Sequence, residues 1–196
     1  MRDDILRLEE WAAGRGVNII VDESFVDFAD IPEQTLLTQS IIDEHKHLIV
    51  LKSISKSFGV PGLRLGIIAS AASDMIAAMK KDVSIWNINS FAEYYMQIIE
   101  KYKADYEEAM SRFMDVRKRY VDKLAKIPAL RVFPSQANYI MCHLENGMSS
   151  RKLADIMLNK YNILIKDLST KEGLNGGNYI RPVSYTHLRA HETRHD

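Results

Sequence analysis

Ser53-Ile54-Ser55-Lys56-Ser57-Phe58-Gly59-Val60-Pro61-Gly62-Leu63-Arg64-Leu65-Gly66 decides how this chain is read. One apolar run, residues 47–51, leads into it and another, residues 65–69, leads out. Both are short and rich in Val, Ile and Leu, as buried strands are. No helix fits between them, so the pair reads as antiparallel rather than as a parallel crossover. The loop carries hydroxyl residues, glycines, Lys56 and, eight residues later, Arg64, with no acidic side chain. Such a cation on a Ser/Gly loop at a strand end suits an anion or an electrophilic carbonyl. An ordinary polar turn with two solvated cations accounts for the composition equally well, and the loop alone does not choose between them.

Working outward, residues 3–14 read as a helix. Asp3 and Asp4 favour the positive end of its dipole, Ile5, Leu8 and Trp11 recur at helical spacing, and Gly14 and Gly16 stop it. Residues 18–21 form an apolar strand followed by Asp22-Glu23-Ser24-Phe25. Helix-then-strand order implies an α/β layer, whose ligands sit at the C-terminal strand ends. Asp22 is therefore a candidate site residue, against the plainer reading of a turn cap. Residues 31–44 read as a loop and then a helix. His45 and His47 at its end point to different faces, so they read as partners of the helix dipole rather than as metal ligands.

Residues 72–82 are helical. Residues 90–124 hold one long helical pattern without Gly or Pro. About 35 residues span ~50 Å, so this helix kinks or links two domains. Tyr94, Tyr95, Ile98, Ile99 and Tyr102 give it a packing stripe. Past Ile127-Pro128 come strands at 130–133, 137–143, 163–166 and 179–183, with a helix at 149–160 capped by Ser149 or Ser150. These describe a small α+β domain. The domains expected are 1–110, a large-domain part with its linking helix, and 111–183, the small domain, leaving 184–196 as a tail.

Composition excludes several classes. With 26 basic and 26 acidic residues, the chain lacks the basic excess of a dedicated nucleic-acid binder. The single cysteine, Cys142, allows no intrachain disulfide and no four-cysteine zinc site, and fits a reducing cytoplasm. Beside Ile140 and Met141 it reads as a small core residue rather than a nucleophile. No apolar run approaches the ~20 residues of a membrane span, and Met1-Arg2-Asp3-Asp4 does not open a signal peptide.

Three segments, in order, resemble a known family. Val21-Asp22-Glu23-Ser24-Phe25, Ser55-Lys56 through Gly62-Leu63-Arg64-Leu65-Gly66, and Tyr179-Ile180-Arg181 together resemble the class I/II aminotransferases, pyridoxal-phosphate enzymes of fold type I. The branch most resembled holds histidinol-phosphate aminotransferase and threonine-phosphate decarboxylase. The resemblance covers about residues 1–182. It implies an α/β fold: the C-terminal part of the large domain plus a small α+β domain. It implies pyridoxal phosphate as cofactor and no metal. Lys56 would join covalently to the cofactor aldehyde and later move the substrate proton, its pKa lowered by Arg64 and partial burial. Arg64, Ser53 and Ser55 would hold the phosphate. Asp22 would keep the ring nitrogen protonated. Phe25 stands where the family often has a tyrosine, so a hydrogen bond to the ring hydroxyl is missing or supplied elsewhere. Arg181 would clamp the substrate carboxylate, with Asn138 as a further substrate contact.

The implied reaction is amino-group transfer between an amino acid or amino-phosphate and a 2-oxo acid. The alternative is decarboxylation of a phosphorylated hydroxy amino acid. The resemblance also implies a homodimer and a biosynthetic role. It extends to aminotransferase-like domains fused to a nucleotidyltransferase upstream. The family's N-terminal portion, with its glycine loop, stacking aromatic and asparagine turn, is not found in this sequence, which implies about half a cofactor shell and an apolar edge on strand 18–21.

His191-Glu192-Thr193-Arg194-His195 satisfies the zinc-peptidase pattern H-E-x-x-H. The chain ends one residue later, and residues 184–190 lack an amphipathic period, so a zinc hydrolase is the least favoured reading. The tail resembles translated sequencing-adapter DNA rather than native protein.

Overall fold

The computed structural model describes residues 2–174 and 176–183. The tail at 184–196, with its H-E-x-x-H pattern, lies outside the described residues. The chain divides into two compact units, one up to Glu108 and one from Ala109 onward.

In the first unit α1 (Arg2–Ala13) precedes β1 (Ile19–Asp22), and α2 (Gln39–Glu44) precedes β2 (Leu48–Ser53). A one-turn helix, α3 (Ile54–Ser57), opens the loop, a 3-10 turn at Pro61–Leu63 closes it, and β3 (Gly66–Ala69) follows. The sheet order is β1-β2-β3. β1 runs parallel to β2, with Asp22 opposite Leu51, and β2 runs antiparallel to β3, with Ser53 opposite Gly66. The expected antiparallel pair is therefore present, although the connection does contain one helical turn. Leu36, Leu48 and Val50 form the core, covered by Ile5, Leu6, Val21, Leu37, Ile41 and Ile42. Each such fully buried aliphatic side chain stabilises the fold by about 1.5–3 kcal/mol. β1 is an edge strand in the order β1-β2-β3, and Ile20, on the face opposite Val21, is 64% exposed.

His45 and His47 do more than face a helix dipole. The buried Glu9 carboxylate of α1 lies 2.6 Å from His45 Nδ1 and accepts the His47 amide at 3.1 Å. His47 Nδ1 lies 2.9 Å from Asn18 Oδ1. The pair thus ties α1 and the approach to β1 onto the start of β2, because a buried carboxylate must find hydrogen-bond partners.

α4 (Ser73–Asp82) follows β3. The long helical pattern breaks into α5 (Ser90–Ile98), a 3-10 turn at Ile99–Tyr102 and α6 (Lys103–Ala125). No Gly or Pro stands at the join; the β-branched pair Ile98–Ile99 lowers helix propensity there. Tyr94 and Tyr102 are exposed, so only Tyr95, Ile98 and Ile99 of the expected stripe are partly buried.

In the second unit β4 (Leu130–Val132), β5 (Cys142–Leu144), β6 (Lys166–Asp167) and β7 (Tyr179–Arg181) form an antiparallel sheet of order β4-β5-β7-β6. Here α7 is Ser150–Tyr161, lying between β5 and β6 in the chain. Ile140, Cys142, Leu144 and Ile180 form the core, with Tyr120, Val121 and Leu124 of α6 and Leu153 of α7 against it. Ser149 caps α7 by accepting the Lys152 amide, and Asn162 ends it in the left-handed conformation at φ 55°. All four strands are shorter than expected, and β5 and β6 also begin later. Residues 137–141 are not strand, because the Ser135 hydroxyl takes local partners, donating to the Tyr139 carbonyl and accepting the Ala137 amide. Residues 163–165 are taken up leaving the left-handed Asn162, and pairing begins at Lys166. Among the described residues no helix is long and apolar enough to cross a membrane.

Candidate active site

The parallel pairing of β1 and β2 sets two C-terminal strand ends side by side, and the candidate residues of the first unit stand there. Asp22 ends β1 with an exposed carboxylate. The Ser24 hydroxyl and the Ser24 amide, the latter at 2.8 Å, hold it below the usual carboxylate range, against a small opposing effect of burial, with the Lys56 charge adding to the lowering. The same Ser24 hydroxyl accepts the Ser53 amide at 3.0 Å, so one buried serine joins the two strand ends. The spacing Asp-x-Ser at a strand end is an Asx-turn signal that could have identified Ser24 from sequence.

Glu23, next to Asp22, is buried and points the other way. Its Oε2 accepts the Thr35 hydroxyl at 2.5 Å and its Oε1 the Leu36 amide at 2.7 Å. It anchors the segment between β1 and α2. Lys52 donates to Asp27 Oδ1 at 2.6 Å, both side chains less than a fifth exposed. This pair bridges the end of β2 to the turn after Phe25. Neither role is visible in a pattern of residue types, because each partner is distant in sequence.

Lys56 sits on α3 and is exposed, so the expected partial burial is not found. Its Nζ lies 5.1 Å from the Phe25 ring centroid, a cation–π distance. Asp22, Phe25 and Lys56 are therefore brought together. Ser53 ends β2 directly before α3. Ser55 is buried, and its hydroxyl donates to the Leu65 carbonyl at 3.2 Å and accepts the Leu65 amide at 3.1 Å. Ser55 thereby closes the loop on itself through Leu65. Arg64, just before Leu65, is exposed in the left-handed region at φ 55°, with its guanidinium 3.5 Å from the Pro61 carbonyl. Asn and Asp tolerate that conformation better than arginine, and such backbone outliers concentrate at functional sites. Gly59, at φ 66°, supplies the other left-handed turn of the loop.

The second unit holds Arg181 and Asn138. Arg181 is exposed on β7, its guanidinium 5.0 Å from the Tyr139 ring centroid, and Asn138 precedes that tyrosine on the loop before β5. Cys142 is fully buried, and burial pushes its thiol up to about 11, as an inert core residue. Among the described residues no three His, Cys, Asp or Glu side chains are grouped as metal ligands would be.

Comparison with known proteins places this geometry. Residues 1–173 match the family model described as aminotransferase class I and II. The chain is 32% identical over 181 residues to CMP-5'-(3-aminopropyl)phosphonate synthase of Streptomyces rubellomurinus, covering 92% of this chain and 28% of that protein. It is 32% identical over 173 residues to an L-serine phosphate decarboxylase of Campylobacter jejuni, covering 86% of this chain and 44% of that one. The crystal structure of the histidinol-phosphate aminotransferase from Clostridium acetobutylicum superposes with a TM-score of 0.84 at 28% identity, over 98% of this chain and 56% of that one. The chain thus spans less than half the length of the two curated relatives and 56% of the solved chain. Its fold is the matching part of a fold type I pyridoxal-phosphate enzyme. From the sequence match and the superposition alike, the chain belongs to the class I and II aminotransferase family.

Proposed function

We propose that this chain carries the lysine-bearing part of a pyridoxal-phosphate enzyme that transfers an amino group between an amino acid, or an amino-phosphate, and a 2-oxo acid. The observation that carries the reading is the convergence of Lys56, Phe25 and the ionised Asp22 at adjoining strand ends. The residues present fit the cofactor's chemistry: an exposed primary amine, an aromatic face, a carboxylate held ionised, and a guanidinium eight residues after the lysine. Pyridoxal phosphate, when bound, supplies an aldehyde and a ring that draws electrons from the substrate α-carbon.

The chain's own groups do the rest. Lys56 Nζ would be the amine that holds the cofactor through its aldehyde and, once displaced by the substrate amine, the base that takes the α-proton from the substrate carbon. Arg64 and the Ser53 hydroxyl bind the phosphate group, the guanidinium by paired charge-assisted bonds. Asp22, kept ionised by Ser24, holds a proton on the ring nitrogen. Phe25 packs its face on the lysine and offers no hydroxyl. Arg181 binds the substrate carboxylate and so selects the bond that breaks, with Asn138, the residue before Tyr139, as a further substrate contact. A homodimer belongs to the same proposal, since the family is usually dimeric.

Decarboxylation of a phosphorylated amino acid is the second reading, favoured by the name of the Campylobacter jejuni relative. One experiment addresses both. The protein is incubated with pyridoxal phosphate, reduced with borohydride and mapped by peptide mass. Label concentrated at Lys56, and lost in Lys56→Ala, is expected; label spread evenly over the lysines would sink the reading. L-Serine phosphate and an amino acid with a 2-oxo acid are supplied in turn to a separate, unreduced sample loaded with pyridoxal phosphate. Carbon dioxide release selects decarboxylation, and a new 2-oxo acid selects transfer.

A further inference from the structure

We propose that Tyr106 is a positioning residue for the turn that bears Lys56, gripping it through the two residues that follow the lysine. The use of that turn rests on the reading of Lys56 above; the grip itself rests on geometry alone. α3 is only four residues long, too short to hold its own shape. Its N-terminal side is secured by Ser55 on Leu65. Within the loop, the C-terminal side has local backbone bonds: the Phe58 amide to the Ile54 carbonyl at 3.2 Å, the Gly59 amide to the Lys56 carbonyl at 3.4 Å and the Val60 amide to the Ser55 carbonyl at 3.1 Å.

Tyr106 supplies the missing hold from outside the loop. Its ring stacks on Phe58, centroids 4.2 Å apart and planes 11° from parallel. It is the one residue between Lys101 and Ala109 that is not exposed. Its phenol faces Ser57, whose Oγ is buried without a well-formed hydrogen bond but which still opposes the rise of the phenol's pKa. Burial, with the Asp27 charge adding, pushes that pKa up to about 12, so the phenol stays a neutral donor at ordinary pH. Asp27 is in turn held by Lys52 at the end of β2. Tyr106 therefore touches Ser57 and Phe58 and reaches the charged pair beneath them. A displacement of ~1 Å at a reacting group can cost ~100-fold in rate, so a turn bearing the reactive amine needs such a hold.

The test uses the whole chain with Tyr106→Ala, Tyr106→Phe and Leu37→Ala, the last making a cavity in the same unit away from the loop. Two quantities are read: amide hydrogen exchange at Phe58 and Val60 against Val50, and the share of borohydride-trapped pyridoxal label at Lys56. Tyr106→Ala is expected to speed exchange at Phe58 and Val60 about tenfold more than at Val50, the equivalent of one aromatic pair, and to lower the Lys56 share by a similar factor. Tyr106→Phe keeps the stack and should stay within about threefold of wild type. Leu37→Ala should speed all three amides alike. The proposal is overturned if Tyr106→Ala leaves Phe58 and Val60 unmoved, or moves all three amides together as Leu37→Ala does. Absence of Lys56 preference in the wild-type chain would instead remove the functional reading, and the exchange data would still decide the role of Tyr106.

Discussion

Ser55 illustrates how neighbouring hydroxyls in one motif divide their tasks. Ser53 stands at the strand end beside Arg64's loop, whereas Ser55 turns inward and bonds both polar groups of Leu65. Ser55→Ala leaves the buried Leu65 amide without its partner, while the Leu65 carbonyl keeps the Ile54 amide at 3.2 Å. It is expected to cost about 1–3 kcal/mol in a urea melt, with a larger effect on the loop than on β2 by hydrogen exchange. The candidate residues Asp22, Lys56 and Arg64 were legible in sequence because each is defined by chemistry and spacing. Ser24 and Tyr106 were not picked out. The Asp-x-Ser spacing marks Ser24 only as a turn residue; its bond to Ser53 and the stacking of Tyr106 on Phe58 join residues 29 and 48 apart, which no local pattern contains.

Among the elements, the segment between β1 and α2 depends on a single carboxylate. Glu23 ties it down through Thr35 and Leu36, and Leu36 is itself 1% exposed in the core. Glu23→Ala should cost about 1.5–3 kcal/mol, the range for a bond to a charged group, and should release protection of the Leu36 amide first. Loss of stability without that local release would show that Glu23 acts elsewhere. The helices α1, α4 and α7 and the strands flanking the loop were readable from apolar spacing and from the Gly, Asn and Ser residues at their ends. That the pattern over 90–124 kinks or links two units was readable as well, but the place of the break at Ile99–Tyr102 and the short β5 and β6 were not. Residues such as Ser135 offer the backbone local partners, and whether these prevail over strand pairing is decided by the ladder available to it.

The two units carry separate cores and separate alkaline liabilities. In the second, burial pushes the Cys142 thiol from an ordinary 9.0 to about 11 and raises the Tyr120 phenol as well. In the first, burial pushes the Tyr106 phenol from 10.0 to about 12. All three groups keep their protons longer folded than unfolded. The stability they contribute is therefore complete below the unfolded value and is lost as pH climbs through the folded one. Stability of the second unit should fall from about pH 9 to 11, and that of the first from about pH 10 to 12. Urea melts at stepped pH, followed by circular dichroism, check this. Cys142→Ala should remove the earliest part of the fall and leave the part above the ordinary tyrosine value, and an unchanged slope below it would refute the assignment.

The sequence by itself determined the helix-and-strand texture, the strand–loop–strand around Lys56, the inert setting of Cys142 and the family. These follow from apolar periodicity and from residue types whose chemistry is local. Only the tertiary structure decided that Ser55 bonds Leu65 across the loop, that Lys56 is exposed against Phe25, that Glu9 and Glu23 act as buried anchors, and that Tyr106 lies on the Lys56 turn. Each of those depends on which distant groups burial forces into contact, because a polar atom removed from water must be satisfied by whatever the fold sets beside it.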